Sequence, residues 1–372
     1  MLQQQIFRSW KYSILFTKAE PFLLRQSVME RRCSMSFGKD LFNFPFSHIY
    51  VEKSVAGDAM AQDILSRFSH SNVILIDHYK DVFNRPRQSF RLQKLAPSLI
   101  LAKRSGEVVY KGAPVCQDFG YDHFYYTTSA MNCLFDCEYC FFRGMYGSGN
   151  VVVFLDIDRV FSKVERLLSR HPVYLCVSYD TDLIALESLT GYVARWVEFT
   201  RTHEDLTIEI RTKSFRKDIY EKLPFCDRVI FAYTVSPEEI IRRFEKKTAA
   251  LPERLEAAAC ALSKHFPVRL CFDPIIYCQN WKDAYSSMLL EVQKYIDMHQ
   301  LKDVSVGSFR IPADYMKKLR KDFPESPVCQ YPYENRNGVF QYGEKLQNDM
   351  ENGLITMLQN LIDKDKIFRT DF

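Results

Sequence analysis

The chain has 372 residues, of which 47% are hydrophobic, with a formal charge of +4 and a pI near 8.4. That is enough apolar material for one large globular domain or a main domain with additions, and it excludes a disordered or low-complexity chain. No apolar run approaches the roughly 18 residues of a membrane span, so no transmembrane helix and no membrane partner are expected. The 11 cysteines are an odd number without a disulfide framework. They predict a reducing, cytoplasmic setting.

Residues 1–45 carry a basic bias, with Arg8, Lys11, Lys18, Arg25, Arg31 and Arg32 set around Glu20 and Glu30. They read as a loosely attached extension, with Met29 and Met35 as alternative starts. An α/β unit is expected over 46–120. It opens with a strand at His48–Glu52, a helix over Ala56–Phe68 and a strand at Asn72–Asp77, whose continuous apolar run predicts burial on both faces. Between Asp81 and Glu107 the chain holds Arg85, Arg87, Arg91, Lys94, Lys103 and Arg104 and no acid. The stretch is either a solvated face or a track for nucleic-acid phosphates. Strands follow at Leu99–Ala102 and Phe124–Thr128.

The second of these leads into Cys133-Leu134-Phe135-Asp136-Cys137-Glu138-Tyr139-Cys140. Thiolates are soft ligands, and three on one loop suit a [4Fe–4S] cluster with one iron left open. Structural zinc asks for four ligands, and no second CxxC pair is present. Gly144, Gly147 and Gly149 then let the backbone approach a cluster or cofactor.

From there strand and helix alternate. Helices are predicted from Asp156 or Asp158, over Leu183–Phe199, from Phe215, after Pro237, over Leu255–Leu262 and over Trp281–Met298. Strands are predicted at Val173–Val177, Leu206–Ile210, Arg228–Ala232, Val268–Phe272 and Val304–Val306. The fold class is therefore α/β: a partial (βα)6 TIM-like barrel over 121–310, with its chemistry where strands end. Over 311–372 a C-terminal extension is expected. There Asn337-Gly338 between short apolar runs signals a hairpin, and a structural helix follows Gly343. The aromatic residues Tyr331, Tyr333, Phe340 and Tyr342 either fill a core or stack on bases.

The cysteine run resembles the signature of the radical S-adenosylmethionine (radical SAM) superfamily. Further motifs resemble the spore photoproduct lyase family, from about Phe46 to near the C-terminus. They are Cys176–Asp182 with Glu187–Thr190, Arg211-Thr212-Lys213, Phe244-Glu245, Arg254–Ala258, and Asp273-Pro274-Ile275 with Trp281. The resemblance implies a partial barrel, a [4Fe–4S] cluster, S-adenosyl-L-methionine (SAM), and DNA repair by a 5′-deoxyadenosyl radical acting on a methylene-bridged thymine dimer. It implies metal ligation by Cys133, Cys137 and Cys140, and cofactor contacts from Tyr139, Phe141, Ser178, Thr181, Lys213 and Thr234. Lys213 suits the SAM carboxylate. Damaged duplex DNA is the implied partner, met by Arg85, Arg87, Arg91 and Arg336, with flavodoxin or ferredoxin as electron donor. Two positions depart from the family pattern CxxxCxYCY. Phe141 replaces the tyrosine after the third cysteine, and Tyr179 replaces the hydrogen-donating cysteine. Tyr179 is then the candidate donor, with Cys271 and Cys278 as replacements in space. Cys176, three residues from Tyr179 on a regular strand, is expected to face the other side. A different nucleotide or peptide substrate, or an Fe–S nucleic-acid-binding protein without turnover, are the other readings.

Overall fold

The computed structural model describes residues 46–113 and 116–370. The basic extension 1–45 lies outside them. Three strands open the chain: β1 (His48–Glu52), β2 (Asn72–Ile76) and β3 (Leu99–Ala102). They pair in parallel in the order β2-β1-β3. The helix Ala59–Arg67 joins the first two, and Asp58 caps it by accepting from the Met60 amide at 2.9 Å. β2 departs from expectation. It is an edge strand, and Val73, Ile74 and Leu75 are exposed. Its apolar run does not reflect burial on both faces.

The chain then passes through β4 (Val109–Lys111), β5 (Phe124–Thr127), β6 (Ala130–Met131), β7 (Asp136–Cys137) and β8 (Val151–Phe154). β8, not anticipated after the glycine-rich stretch, lies beside β3, and β6 closes that sheet antiparallel to β8. So the first sheet is completed by strands on either side of the cysteine loop, which leaves that sheet at β6 and returns to it at β8.

The barrel is built on β5, β9 (Val173–Cys176), β10 (Leu206–Thr212), β11 (Val229–Thr234), and, past the short β12 (Glu245–Lys246), on β13 (Val268–Ile275) and β14 (Asp303–Ser308). These six are parallel and adjacent in chain order. This is the partial (βα)6 arrangement. Beyond β14 the chain adds the antiparallel trio β15 (Arg310–Pro312), β16 (Glu334–Arg336) and β17 (Val339–Gln341), then β18 (Ile367–Arg369). β18 extends the barrel sheet in parallel, too short to show in the apolar pattern. β4 flanks the other edge antiparallel to β5.

Two helix expectations are corrected. Leu183–Phe199 is two helices, Leu183–Thr190 and Tyr192–Arg201, because Gly191 adopts φ 63° and breaks the run. No helix starts at Phe215; Ser214, Arg216 and Asp218 bond among themselves in a turn instead. The hairpin is as expected: Asn337 and Gly338 both take positive φ, which the twist of a two-residue turn requires.

Inside the barrel, the N-terminal end is closed by charge. Arg269 is fully buried and pairs with Glu209 and Asp303, and Tyr174 accepts from it at 2.7 Å. The guanidinium lies 3.1 Å from the centre of the Phe119 ring. The opposite end, where the parallel strands finish, is left for the site.

Candidate active site

The cysteine loop is held from both sides. β7 pairs antiparallel with β12, setting Cys137 opposite Glu245 and Asp136 opposite Lys246. The Glu138 amide donates to the Phe244 carbonyl at 2.8 Å. Arg143, buried, donates from Nε to the Cys137 carbonyl at 3.1 Å and pairs with Asp136. Its guanidinium lies between the rings of Phe90 and Phe323. At the entry to the loop Asn132 takes φ 65°, and its amide donates to the carbonyls of Ser148 and Asn150, each at 2.7 Å. Gly144, after the loop, is a close approach. A Cβ there would lie 2.2 Å from Cβ of Tyr315, on the helix Ala313–Asp322. Gly144→Ala is therefore expected to cost about 1–3 kcal/mol by overpacking, read as a lower denaturation midpoint with unchanged slope.

The three sulfurs sit in surroundings that suit charged thiolates bound to iron. The Phe135 amide points at the Cys133 sulfur at 3.4 Å. Lys94, although buried, donates to the Cys133 carbonyl. Lys213 Nζ lies 3.9 Å from the Cys137 sulfur. Burial, the largest influence, pushes all three thiols up, Cys137 to about 12, while Lys94, Lys213 and Arg143 pull the other way. Iron supplies the positive charge that the low-dielectric loop otherwise lacks. Among the described residues no three Cys, His, Asp or Glu side chains converge as they would on a single ion. A cube that takes its three cysteines on three different irons does not ask for that convergence.

Beside the loop lies a buried ion network that sequence reading missed. Glu245 takes Arg254 on one oxygen at 2.6 Å and Lys213 on the other at 3.2 Å. Tyr139 gives its hydroxyl proton to Glu245, and Lys213 donates to the Tyr139 oxygen at 2.8 Å. Burial alone would raise the Glu245 carboxyl. Arg254, then Lys213 and the Tyr139 hydrogen bond, outweigh it and hold the group at about 2. Lys213 is thus fixed beside the cluster cysteines by Glu245 on β12 and by Tyr139 of the cysteine loop itself.

Other expected contact residues fall at the same strand ends. The Ser178 hydroxyl accepts from the Arg211 amide at 2.7 Å and keeps its own proton to give. Thr181 donates to the Asn132 carbonyl at 2.8 Å and ties β9's exit to the cysteine loop. Thr234 ends β11, and its carbonyl takes Arg254 at 3.0 Å. Phe141 is edge-on to Tyr179, ring centres 6.4 Å apart, and Tyr179 stacks on Tyr126 at 4.1 Å. Cys176 does not turn away as alternation predicts. β9 ends at Cys176, Ser178 makes an isolated bridge to Thr128, and Cys176 faces the barrel interior near Glu209, Arg211 and Cys116. Cys271 is buried, with the charge of the same Arg211 acting on its thiol. Cys278 stands apart, its thiol 3.2 Å from Glu239 in a groove lined by Tyr277, Tyr331, Tyr333 and Tyr342.

The arginines expected on DNA divide. Arg85 and Arg87 are exposed, with Arg85 Nε on the Asp81 carbonyl at 2.7 Å. Arg91 spans 234 residues of sequence to Glu325 at 3.4 Å, donates to the Asp322 carbonyl at 2.9 Å and covers Phe323. The acid missing from its own stretch comes from another. Arg336 folds back onto the Tyr342 carbonyl and Gln347. Tyr333 and Tyr342 are buried and pack on each other with Tyr331 at ring distances of 5.0 Å. Tyr333 and Tyr342 are thus packed inside, while half-buried Tyr331 joins them in lining the groove beside Cys278.

Comparison with known proteins gives the family. The sequence profile of the spore photoproduct lyase family matches residues 123–364, more than half of the chain and all of the barrel strands from β9 to β14. The chain belongs to the spore photoproduct lyase family. Spore photoproduct lyase of Bacillus subtilis (strain 168) is 20% identical over 244 residues, covering 63% of this chain and 71% of that protein. Among solved structures, a spore photoproduct lyase variant superposes with a TM-score of 0.76 at 16% identity, over 88% of this chain and 99% of that one. A spore photoproduct lyase complexed with dinucleoside spore photoproduct gives 0.76 at 15% identity, with the same coverage. These likenesses show the radical SAM partial barrel, and the family is one of radical SAM lyases.

Proposed function

We propose that this chain is a radical SAM lyase that reverses a thymine-dimer lesion in DNA, with a [4Fe–4S] cluster and SAM as cofactors. The observation that carries the reading is the cysteine loop, pinned through Cys137–Glu245 pairing at the open end of a partial barrel in a member of this family. Cys133, Cys137 and Cys140 would hold three irons. With cluster and SAM bound and one electron added, the site would supply a 5′-deoxyadenosyl radical. The protein's own part is to hold and exclude. Lys213, kept at the site by Glu245 and Tyr139, offers an ammonium for a carboxylate. Ser178 offers a hydroxyl proton, and Phe141 and Tyr126 make an apolar wall around Tyr179. A low-potential donor such as flavodoxin or ferredoxin would bring the electron, in a cytoplasm reducing enough for the ten described cysteines, all free thiols.

Reaching a base inside a duplex requires taking it from the stack. Arg85 and Arg87 would then track phosphates, while Arg91 and Arg336 serve the fold. Neutralising Arg85 and Arg87 together is expected to weaken duplex binding and to flatten the log–log salt slope by roughly 0.9 for each lost contact. Arg91→Ala is expected to leave that slope unchanged. A double variant with the parent slope would remove this surface from the DNA interface. The reading as an enzyme is tested by 5′-deoxyadenosine formation from SAM by anaerobically reconstituted, dithionite-reduced protein. Absence of turnover would leave only an Fe–S binding protein.

A further inference from the structure

The ladder that pins the cysteine loop has two faces. In the antiparallel pair β7–β12, Cys137 stands opposite Glu245 and both are buried, with Glu245 turned to Lys213 and Arg254. The next pair, Asp136 opposite Lys246, points the other way, because successive side chains of a strand alternate. Lys246 is exposed there. Arg242 and Arg243 are exposed in the last turn of the helix Glu238–Phe244, and Lys246 Nζ donates to the Arg242 carbonyl at 3.4 Å. Across the loop, Asp136 pairs with Arg143, whose guanidinium lies 4.6 Å from the centre of the Phe323 ring at the end of the helix Ala313–Asp322. That helix adds exposed Lys318, which donates to the Gly144 carbonyl at 2.6 Å, and exposed Lys321. Among the described residues, none of these five cations has a carboxylate partner. Three neighbouring acids are already taken: Asp136 by Arg143, Glu325 by Arg91 and Asp314 by Lys317. Glu138 of the loop is half-buried.

We propose that this outer face of the cysteine loop is where a small acidic one-electron carrier protein docks to reduce the cluster. The proposal rests on the lyase reading above, which requires an electron and leaves its route open. Two features decide the occupant. The unpaired cations complement an acidic partner and speed its approach. Encounters between electron carriers and their acceptors are small and weak, so such charges act mainly on the rate of meeting. Side matters as much as sign. DNA is also anionic, but a duplex here would lie on the wrong side of the ladder. Lys213 and Tyr139 meet Glu245 on the inner face, and a lesion must reach that side. An electron need not, because only the β7–β12 ladder stands between the outer face and the Cys137 sulfur. The step moves one electron and no atom: the carrier is oxidised by one and the cluster reduced by one.

The test uses the full chain, anaerobically reconstituted, as wild type and as Arg242→Gln/Lys246→Gln/Lys321→Gln. SAM cleavage is followed with two reductants: dithionite, and a flavodoxin kept reduced by its NADPH-dependent reductase. With dithionite the variant should cleave SAM at the parent rate. With flavodoxin its kcat/KM for the carrier should fall about tenfold, and the parent's decline with rising salt should flatten. Equal flavodoxin-driven cleavage overturns the proposal. So does an equal loss with both reductants, which would mean damage to the site itself. Weaker duplex binding with an unchanged flavodoxin-driven rate also overturns it and gives the face to DNA. If wild type cleaves no SAM even with dithionite, the lyase reading fails separately. Flavodoxin affinity, measured by titration calorimetry at low salt without SAM, still decides the surface. About tenfold weaker binding by the variant supports it. Equal binding, or none by either protein, overturns it.

Discussion

Cys137→Ala is expected to abolish reductive SAM cleavage. A cube bound at three irons has no spare ligand, and the open iron is needed for the cofactor. Reconstituted wild type should carry about four irons per chain, and the variant should lose most of them with the cluster's visible absorption. The fold should survive, because β7 pairs with β12 through the Cys137 backbone and not through its sulfur. Far-ultraviolet circular dichroism of the variant should match that of the parent. Cys260→Ala is the control: this half-exposed thiol lies on the helix Leu251–Ser263, away from the cysteine loop, and donates to the Lys217 carbonyl at 3.7 Å. Full SAM cleavage by Cys137→Ala would remove the cluster loop from the chemistry.

Glu245→Ala is expected to lower stability by about 3–5 kcal/mol, because it leaves Arg254 buried and without its carboxylate. Lys213 and Tyr139 lose the same partner, so SAM affinity should fall along with the denaturation midpoint. Glu245→Gln keeps one acceptor oxygen and loses the charge and the second acceptor, so its effect on stability should be smaller than that of the alanine variant without being negligible. The pH dependence has a definite sign. The folded Glu245 carboxyl is held at about 2, below its ordinary value of 4.5, so its stabilisation is complete above 4.5 and lost as pH falls towards 2. Wild type should therefore lose more stability than Glu245→Gln across that window. Equal loss in both would mean that the network contributes nothing through this charge.

What the sequence disclosed was local. The cysteine spacing, the apolar strands from β9 to β14 and the Asn337-Gly338 turn are each written within a few neighbouring residues. What it concealed was partnership across distance. Arg91 looked unpaired because Glu325 lies 234 residues away. The Lys213–Glu245–Arg254 network joins three motifs that had been read separately. Cys116 carried no pattern of its own, and its thiol lies 3.7 Å from the hydroxyl of Tyr179, 63 residues away. Two other errors came from periodicity alone. Val73 to Leu75 are apolar yet exposed, because β2 is an edge. Leu183 to Phe199 holds one apolar face across a break, because Gly191 turns the backbone without interrupting the pattern.

The central claim is that the chain turns a SAM-derived radical on a methylene-bridged thymine dimer. Product analysis after anaerobic incubation of the reconstituted, reduced protein with SAM and dinucleoside spore photoproduct tests it most directly. The account predicts disappearance of the lesion and appearance of the unbridged thymine dinucleoside. Formation of 5′-deoxyadenosine from SAM while the lesion stays intact would contradict it.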